Sequence, residues 1–231
     1  MKEGGRGGSW DSAWDEVFRS RRWGRYPPEE LIRFMARNFF GVEDRSTVKV
    51  LELGCGAGAC TWFLAREGFD TYAVDGSEHA VRLAKKYLES EGLSAHIEQA
   101  DFLGLDFEAE SFDAVVEVAS IQQTTMENLR RIVKRAWELL KPGGVMFAMM
   151  VAKGTWGDGL GTLVEPNTFK DIPEGPYEGL GVTHFFEEKD VVEAFSPFAE
   201  LELEKSTRTA DNRMREIGHW VVSAKKKSKG A

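Results

Sequence analysis

Short apolar runs alternate with helically spaced apolar positions along most of this chain. The first run, residues 48–53, is bounded and rich in valine and leucine, and predicts a buried parallel strand. Helical spacing predicts helices after residue 58 and over residues 77–88 and 124–140. This alternation is typical of a parallel sheet with crossover helices. Further strands are predicted at residues 71–74, 95–98, 112–118 and 145–151.

The flanks of this region contribute additional elements. Prolines and acids at residues 27–30 predict the start of a helix that continues to about residue 38. A short helix at residues 187–195 and two strands at 199–205 and 218–224 follow the central region. We therefore predict a single α/β domain over residues 45–225, with a capping box at Thr124 and Glu127 opening its last long helix.

Four segments depart from the regular pattern. Residues 1–9 are glycine-rich and predicted to be disordered, and residues 10–44 form an N-terminal helical segment whose aromatic and arginine residues suggest a lid. Residues 152–185 contain seven glycines and three prolines without clear periodicity, which suggests a second lid. Residues 226–231 are predicted to be a solvated basic tail.

The charge of the chain argues against a nucleic-acid partner. The net charge of the 231 residues is −8, and the four lysines near the carboxyl end leave −12 for residues 1–224. Proteins that bind nucleic acids present a basic surface to the phosphates, which this acidic body lacks. We therefore expect a small-molecule partner, while the oligomeric state stays open.

Other composition features favour a cytoplasmic protein without a metal centre. The two cysteines, Cys55 and Cys60, do not form a disulfide framework or a zinc-binding pattern, and they suit a reducing compartment. The longest apolar run, residues 145–152, is too short to cross a bilayer, so we expect no membrane association. No metal site is predicted.

The chemistry of the chain concentrates where the first strand ends. Glu52 is followed by Gly54, Gly56 and Gly58, and then by a helix. Glycines in such a turn let the backbone approach a ligand closely. A strand, a glycine turn and a helix together form a nucleotide-binding crevice at the carboxyl edge of a sheet.

Two cofactor classes use such a crevice. Dinucleotide enzymes carry G-x-G-x-x-G/A, which Gly54, Gly56 and Ala59 satisfy. The second class binds S-adenosylmethionine (SAM) and carries E/D-x-G-x-G-x-G, which residues 52–58 match at every defined position. An acid at position 52 suits a ligand with an amino group, but it would repel a pyrophosphate.

With these elements in order, the chain resembles the class I SAM-dependent methyltransferases over roughly residues 45–225. The resemblance implies a Rossmann-like, seven-stranded, mostly parallel sheet in the order 3-2-1-4-5-7-6, with helices on both faces and the last strand antiparallel. It also implies SAM lying across the carboxyl ends of the first four strands. The motifs that carry it are residues 52–58, 73–77, 99–102, 112–116 and 140–144.

The resemblance also implies cofactor contacts at specific positions. Asp75 would accept hydrogen bonds from the ribose hydroxyls, and Asp101 would lie near the adenine amino group, with Phe102 covering it. Glu117, at the end of the fourth strand, would touch the cofactor or the acceptor. The complete predicted cofactor set is Glu52, Gly54, Cys55, Gly56, Gly58, Asp75, Gly76, Ser77, Asp101, Phe102, Glu117 and Val118.

The sequence defines the acceptor site less clearly than the cofactor site. Glu117 and His184 are candidate catalytic bases, and His219 is a weaker one. Candidate substrate contacts are Trp23, Tyr26, Gln122 and His184, and Arg208, Arg213 and Arg215 could pair with an anionic acceptor.

The predicted function is methyl transfer from SAM to oxygen or nitrogen of a small molecule, by in-line displacement, with S-adenosylhomocysteine (SAH) as product. An NAD-dependent oxidoreductase is an alternative that explains the glycines and Asp75 but not Glu52. A non-catalytic SAM-binding partner subunit is a second alternative that the motifs leave open.

Overall fold

The computed structural model describes residues 9–229 of the chain. Residues 1–8, which belong to the segment predicted to be disordered, lie outside the described part of the chain. Residues 230–231, at the end of the basic tail, also lie outside it. The described part contains six α-helices, ten strands and two short 3-10 helices, arranged as one large sheet, one small sheet and their covering helices.

Seven strands form the large sheet. Its strands are β1 (Lys49–Leu53), β2 (Asp70–Asp75), β3 (His96–Gln99), β4 (Phe112–Val118), β5 (Leu140–Val151), β9 (Glu200–Ala210) and β10 (Arg215–Lys225). The small sheet contains β6 (Thr162–Glu165), β7 (Thr168–Lys170) and β8 (Thr183–His184). The helices are α1 (Ala13–Ser20), α2 (Glu29–Phe39), α3 (Ala59–Arg66), α4 (Glu78–Ser90), α5 (Met126–Leu139) and α6 (Glu188–Ala194).

The strand order of the large sheet is β3-β2-β1-β4-β5-β10-β9. Strands β1 to β5 are parallel, while β10 runs antiparallel to both β5 and β9. Counted within this sheet alone, the order is the predicted 3-2-1-4-5-7-6, so the predicted fold is confirmed. Leu53 at the end of β1 is opposite Val74 of β2 and Glu117 of β4, which brings three strand ends to one edge.

Helices cover both faces of this sheet because its central strands are apolar on both sides. In α5, Leu129, Val133 and Ala136 lie along one face and pack against the β1–β4–β5 region. On the opposite face, Leu31 and Met35 of α2 and Leu64 of α3 pack against the same strands. Two buried layers are the expected result for parallel strands that are connected by crossover helices.

The insertion between β5 and α6 is more regular than its sequence suggests. It forms the small antiparallel sheet, whose strands are only two to four residues long. Strands this short show no clear alternation of apolar and polar residues, so the sequence did not predict them. Tyr177, Leu180 and Phe185 of this insertion pack with Val17 of α1, which joins the two predicted lids in one apolar cluster.

Two local predictions need correction. The described part of the basic tail is not solvated throughout: Lys225 ends β10, and the Lys226 ammonium is buried and donates to the carbonyls of Trp137 and Leu140 at 2.9 and 2.8 Å. A cation stabilises the end of a helix, here α5, where carbonyls lack partners. The cap of α5 is Thr125, not Thr124.

None of the helices within residues 9–229 has the length and apolarity that a membrane crossing requires. The same residues contain no cluster of histidine, cysteine and acidic side chains that could hold a metal ion.

Candidate functional site

The turn after β1 requires glycine at its predicted positions. Gly54, Gly56 and Gly58 have φ values of +79°, +50° and +93°, which side chains with a Cβ rarely adopt. A Cβ on Gly54 would collide with the Ser120 side chain, and one on Gly58 would lie 2.9 Å from Cα of Ala84 in α4. The glycines thus bring α3, α4 and the loop after β4 close to the end of β1.

A cavity of about 470 Å³ opens at this edge of the sheet. Its volume lies within the usual range for small-molecule sites. Nine of the predicted cofactor residues line it: Glu52, Gly54, Cys55, Gly56, Asp75, Gly76, Asp101, Phe102 and Val118. Gly58, Ser77 and Glu117 do not line it. Gly58 packs against α4, and Ser77 caps α4 by accepting a hydrogen bond from the N–H of Ala80.

Glu52 forms a buried acidic end of the cavity. Its carboxylate accepts a hydrogen bond from the Thr61 hydroxyl at 2.5 Å, and only 3% of the residue is exposed. Burial raises the pKa of Glu52 to about 8, although the bond from Thr61 opposes the rise. Within residues 9–229 no cation pairs with it, so a positively charged ligand group would find an available partner here.

Asp75 is held rigidly at the end of β2. One carboxylate oxygen accepts from the N–H of Gly56 and the other from the N–H of Ser77, both at 2.9 Å. Burial raises the pKa of Asp75, and these two N–H groups oppose the rise. Each oxygen retains a further acceptor position, because a carboxylate has about four such positions. The side chain is therefore oriented to accept two more hydrogen bonds from a ligand.

Asp101 is already occupied by the N-terminal segment. It accepts from the N–H and hydroxyl of Ser9 at 2.7 and 2.9 Å, and from the N–H of Trp10 at 3.0 Å. The N–H of Leu103 donates a fourth hydrogen bond at 2.8 Å. With about four acceptor positions in a carboxylate, the capacity of Asp101 is filled by the chain itself.

The N-terminal segment covers the same end of the cavity at three further points. The indole of Trp10 lies against Gly76, where a side chain would collide with it. The ring of Phe18 lies over Gly56, and Asp15 of α1 accepts a hydrogen bond from the Ser77 hydroxyl. The N-terminal segment therefore covers the predicted cofactor contacts.

Several other candidates lie outside the cavity wall. The carboxylate of Glu117 is fully buried and accepts hydrogen bonds from three N–H groups and a hydroxyl, contributed by Ser120, Ile121 and Met149. Burial raises its pKa to about 7, against the effect of those bonds. This arrangement ties the loop after β4 to β5.

Gln122 and His184 are likewise buried and bonded within the fold. The Gln122 side chain accepts from the N–H of Val151 at 2.7 Å, and the His184 ring bonds the Thr168 hydroxyl at 2.6 Å. Burial lowers the pKa of His184 despite Asp190 nearby. Trp23 and Tyr26, in contrast, do line the cavity.

The far end of the cavity contains residues that the sequence did not single out as a group. Tyr177, from the insertion, shares a hydrogen bond of 2.9 Å with Nε2 of His219 on β10, and Arg208 of β9 lies beside them in the wall. Burial and the charge of Arg208 lower the pKa of His219. The sequence indicated His219 only as a weaker candidate base and gave no signal for Tyr177, because a glycine-rich insertion has no motif that fixes its fold.

The chain is similar in sequence to known methyltransferases. Residues 50–144 match a family model described as a methyltransferase domain. A curated relative, the ubiquinone biosynthesis O-methyltransferase of Methylocella silvestris, is 32% identical over 117 residues, covering 51% of this chain and 45% of that protein. The chain thus spans about half the length of that relative, and the residues that match the family model contain the glycine turn.

Solved structures support the same fold. A SAM-dependent methyltransferase from Methanosarcina mazei aligns with a TM-score of 0.66 at 24% identity, covering 78% of this chain and 93% of that one. Phosphoethanolamine N-methyltransferase 2 of Haemonchus contortus, in complex with SAM, aligns with a TM-score of 0.66 at 19% identity, covering 94% of this chain and 56% of that one. At these identities the similarity establishes the fold.

Proposed function

We propose that this chain is a class I SAM-dependent methyltransferase and that it transfers the methyl group of SAM to a small molecule. The observation that carries the proposal is the convergence of Glu52, Asp75 and Asp101 on one cavity beside the glycine turn. The three carboxylates come from three different strand ends and match the three polar regions of SAM.

The residues present fit that cofactor. Asp75 has two acceptor positions left for the ribose hydroxyls, and its charge strengthens such bonds. Glu52 has no cationic partner among the described residues and can receive the amino group of the methionine part. Asp101 is suited to the adenine amino group once Ser9 and Trp10 release it. Phe102 and Val118 provide apolar cover.

The task that remains for the protein is to position the acceptor. Bound SAM supplies an activated methyl group, so the protein need only align an acceptor with it and exclude water. Such alignment can contribute on the order of 7–11 kcal/mol to lowering the barrier. The aromatic side chains of Trp14, Phe18 and Trp23 line the cavity and would keep the acceptor dry. Oxygen and nitrogen acceptors both fit this scheme.

The placement of the candidate bases limits their possible roles. Glu117 and His184 were candidates for the catalytic base, but both side chains lie outside the cavity wall and are bonded within the fold. His219 is the histidine in the described cavity wall. We therefore assign no proton transfer to Glu117 or His184.

We further propose that residues 10–26 and 152–185 act as lids. Their contact through Val17, Tyr177 and Leu180 means that the two segments close as one unit. The cofactor can enter only when the N-terminal segment has moved, because Trp10 and Asp15 occupy the outer face of its site. A cytoplasmic location and a partner other than nucleic acid are also proposed, from the two free cysteines and the acidic body of the chain.

The activity can be tested with methyl-labelled SAM and a panel of small hydroxyl-, amine- and carboxyl-bearing acceptors. We expect SAH to form together with a product heavier by one CH₂ unit. An NAD-dependent oxidoreductase would instead change the absorbance of the nicotinamide. SAM that binds but is never converted, with any acceptor, would favour the non-catalytic partner subunit.

A further inference from the structure

The cavity continues well beyond the three carboxylates of the cofactor end. It runs along the sheet edge from β1 and β2, past β4 and β5, to β10 and β9. His219 on β10 is opposite Val151 of β5, and Arg208 on β9 is opposite Ile217 of β10. Since neighbouring strands lie about 4.8 Å apart, His219 is about 10 Å, and the Arg208 backbone about 14 Å, from the line of β4.

The chemical character of the cavity reverses over that length. Its cofactor end has three acidic groups, whereas its far end has the guanidinium of Arg208 and the Tyr177–His219 pair. Arg208, which is exposed, forms no ion pair with any residue in 9–229, while Arg215 on the same hairpin pairs with Glu174 at 3.6 Å. Glu30 acts electrostatically on His219, and Glu117 acts on Tyr177. Glu30 lines a different groove and accepts from the Ser206 hydroxyl at 2.6 Å, and the Glu117 carboxylate is bonded within the fold.

From these observations, and resting on the proposed function, we propose that the far end of the cavity binds the carboxylate of an aromatic acceptor. Arg208 pairs with the carboxylate, and the Tyr177–His219 pair completes its hydrogen bonds. Trp14, Phe18 and Trp23 surround the aromatic body. The methylated atom then lies at the opposite end of the molecule, about 10 Å away toward β4.

The charge requirement can be tested without knowing the natural acceptor. Cinnamate and cinnamyl alcohol have the same flat aromatic body, and only the former is an anion. In calorimetric titrations of the 231-residue chain saturated with SAH, we expect cinnamate to bind about tenfold more tightly than the alcohol, because ionic hydrogen bonds are stronger than neutral ones.

Matched variants identify the group responsible. Arg208→Gln should remove the preference for the anion and leave the affinity for the alcohol unchanged. Arg213→Gln is the control, because Arg213 is exposed on the same hairpin and does not line the cavity, so the preference should persist. His219→Gln should weaken cinnamate binding several-fold through loss of its hydrogen bond. The SAH affinity of each variant reports whether it is folded.

Each contrary result has a distinct meaning. The proposed carboxylate subsite is wrong if the SAH complex binds both probes equally or binds neither. It is also wrong if the two arginine variants lose the preference for cinnamate to the same extent. In each case the methyltransferase proposal stands. If SAH itself fails to bind the wild-type protein, the proposed function fails first.

Discussion

The carboxylate of Asp101 accepts a hydrogen bond of 2.7 Å from the backbone N–H of Ser9, a residue 92 positions earlier in the chain. Together with the bonds from the Ser9 hydroxyl, Trp10 and Leu103, this fills the acceptor capacity of Asp101. The N-terminal segment and an adenine amino group therefore compete for one carboxylate.

Removal of residues 1–10 should consequently tighten SAH binding. The truncated chain no longer has to release Asp101 before the cofactor enters, so we expect its Kd for SAH to fall several-fold in calorimetric titrations. A chain beginning at Ser9 is the matched control and should behave like the 231-residue chain. Equal affinities for all three proteins would mean that the segment and the cofactor do not share Asp101.

Asp75→Asn should weaken cofactor binding strongly. The variant keeps the size of the side chain but loses the charge that strengthens two ribose hydrogen bonds, which we expect to cost about 10- to 100-fold in SAH affinity, or about 1.5–3 kcal/mol. The comparison is Asp70→Asn, at the opposite end of β2 and away from the cavity. A Kd for Asp75→Asn within a factor of two of wild type would contradict the assigned role.

Cofactor affinity should increase with pH up to about 8. Glu52, whose pKa is raised to about 8 by burial, is protonated at lower pH in the free protein. Pairing with the amino group of SAH favours the ionised carboxylate and lowers this pKa, so binding releases a proton below pH 8. The Kd should therefore fall by up to about tenfold per unit as pH rises from 6 to 8.

Proton release can be measured directly as a dependence of the binding enthalpy on the ionisation enthalpy of the buffer. Glu52→Gln should abolish this dependence, whereas Glu98→Gln, which changes an exposed acid on β3, should retain it. A pH-independent Kd in the wild-type protein would show that Glu52 does not receive the amino group.

His184→Asn should reduce stability and leave ligand binding intact. The ring is buried, bonds Thr168 of β7, and packs edge-on against Phe186 with centroids 4.5 Å apart. The smaller side chain leaves a cavity and loses the aromatic contact, so we expect a lower Tm, measured by calorimetry. Unchanged Tm combined with lost conversion of SAM to SAH would instead restore His184 as a catalytic candidate.

The fold was predictable from the sequence because strong local signals coincide with it. β1, β2 and β4 are bounded apolar runs, and α5 has its apolar residues at helical spacing, so burial and periodicity agree. The glycine turn was equally readable, since positive φ values at Gly54 and Gly58 demand glycine whatever ligand is bound. These features depend on neighbours in sequence.

The features that the sequence did not reveal depend on distant contacts. Ser9 is hydrogen-bonded to Asp101, and Tyr177 is hydrogen-bonded to His219, which lies 42 positions further along the chain. Ser9 and Tyr177 both belong to segments without periodicity. Glu117 is a related case: its position at the end of β4 suggests a ligand contact, whereas its side chain accepts hydrogen bonds from N–H groups of the loop after β4 and of β5. Side-chain direction at a strand end is set by packing that the local pattern does not encode.

The central claim is that the cavity between Glu52, Asp75 and Asp101 binds an adenosyl cofactor with a methionine-type tail. The most direct measurement is a calorimetric titration of ligand-free wild-type protein with SAH and, in parallel, with NAD. We predict one SAH site per chain and no heat from NAD. Saturable binding of NAD, or no binding of SAH to folded protein, would contradict the account.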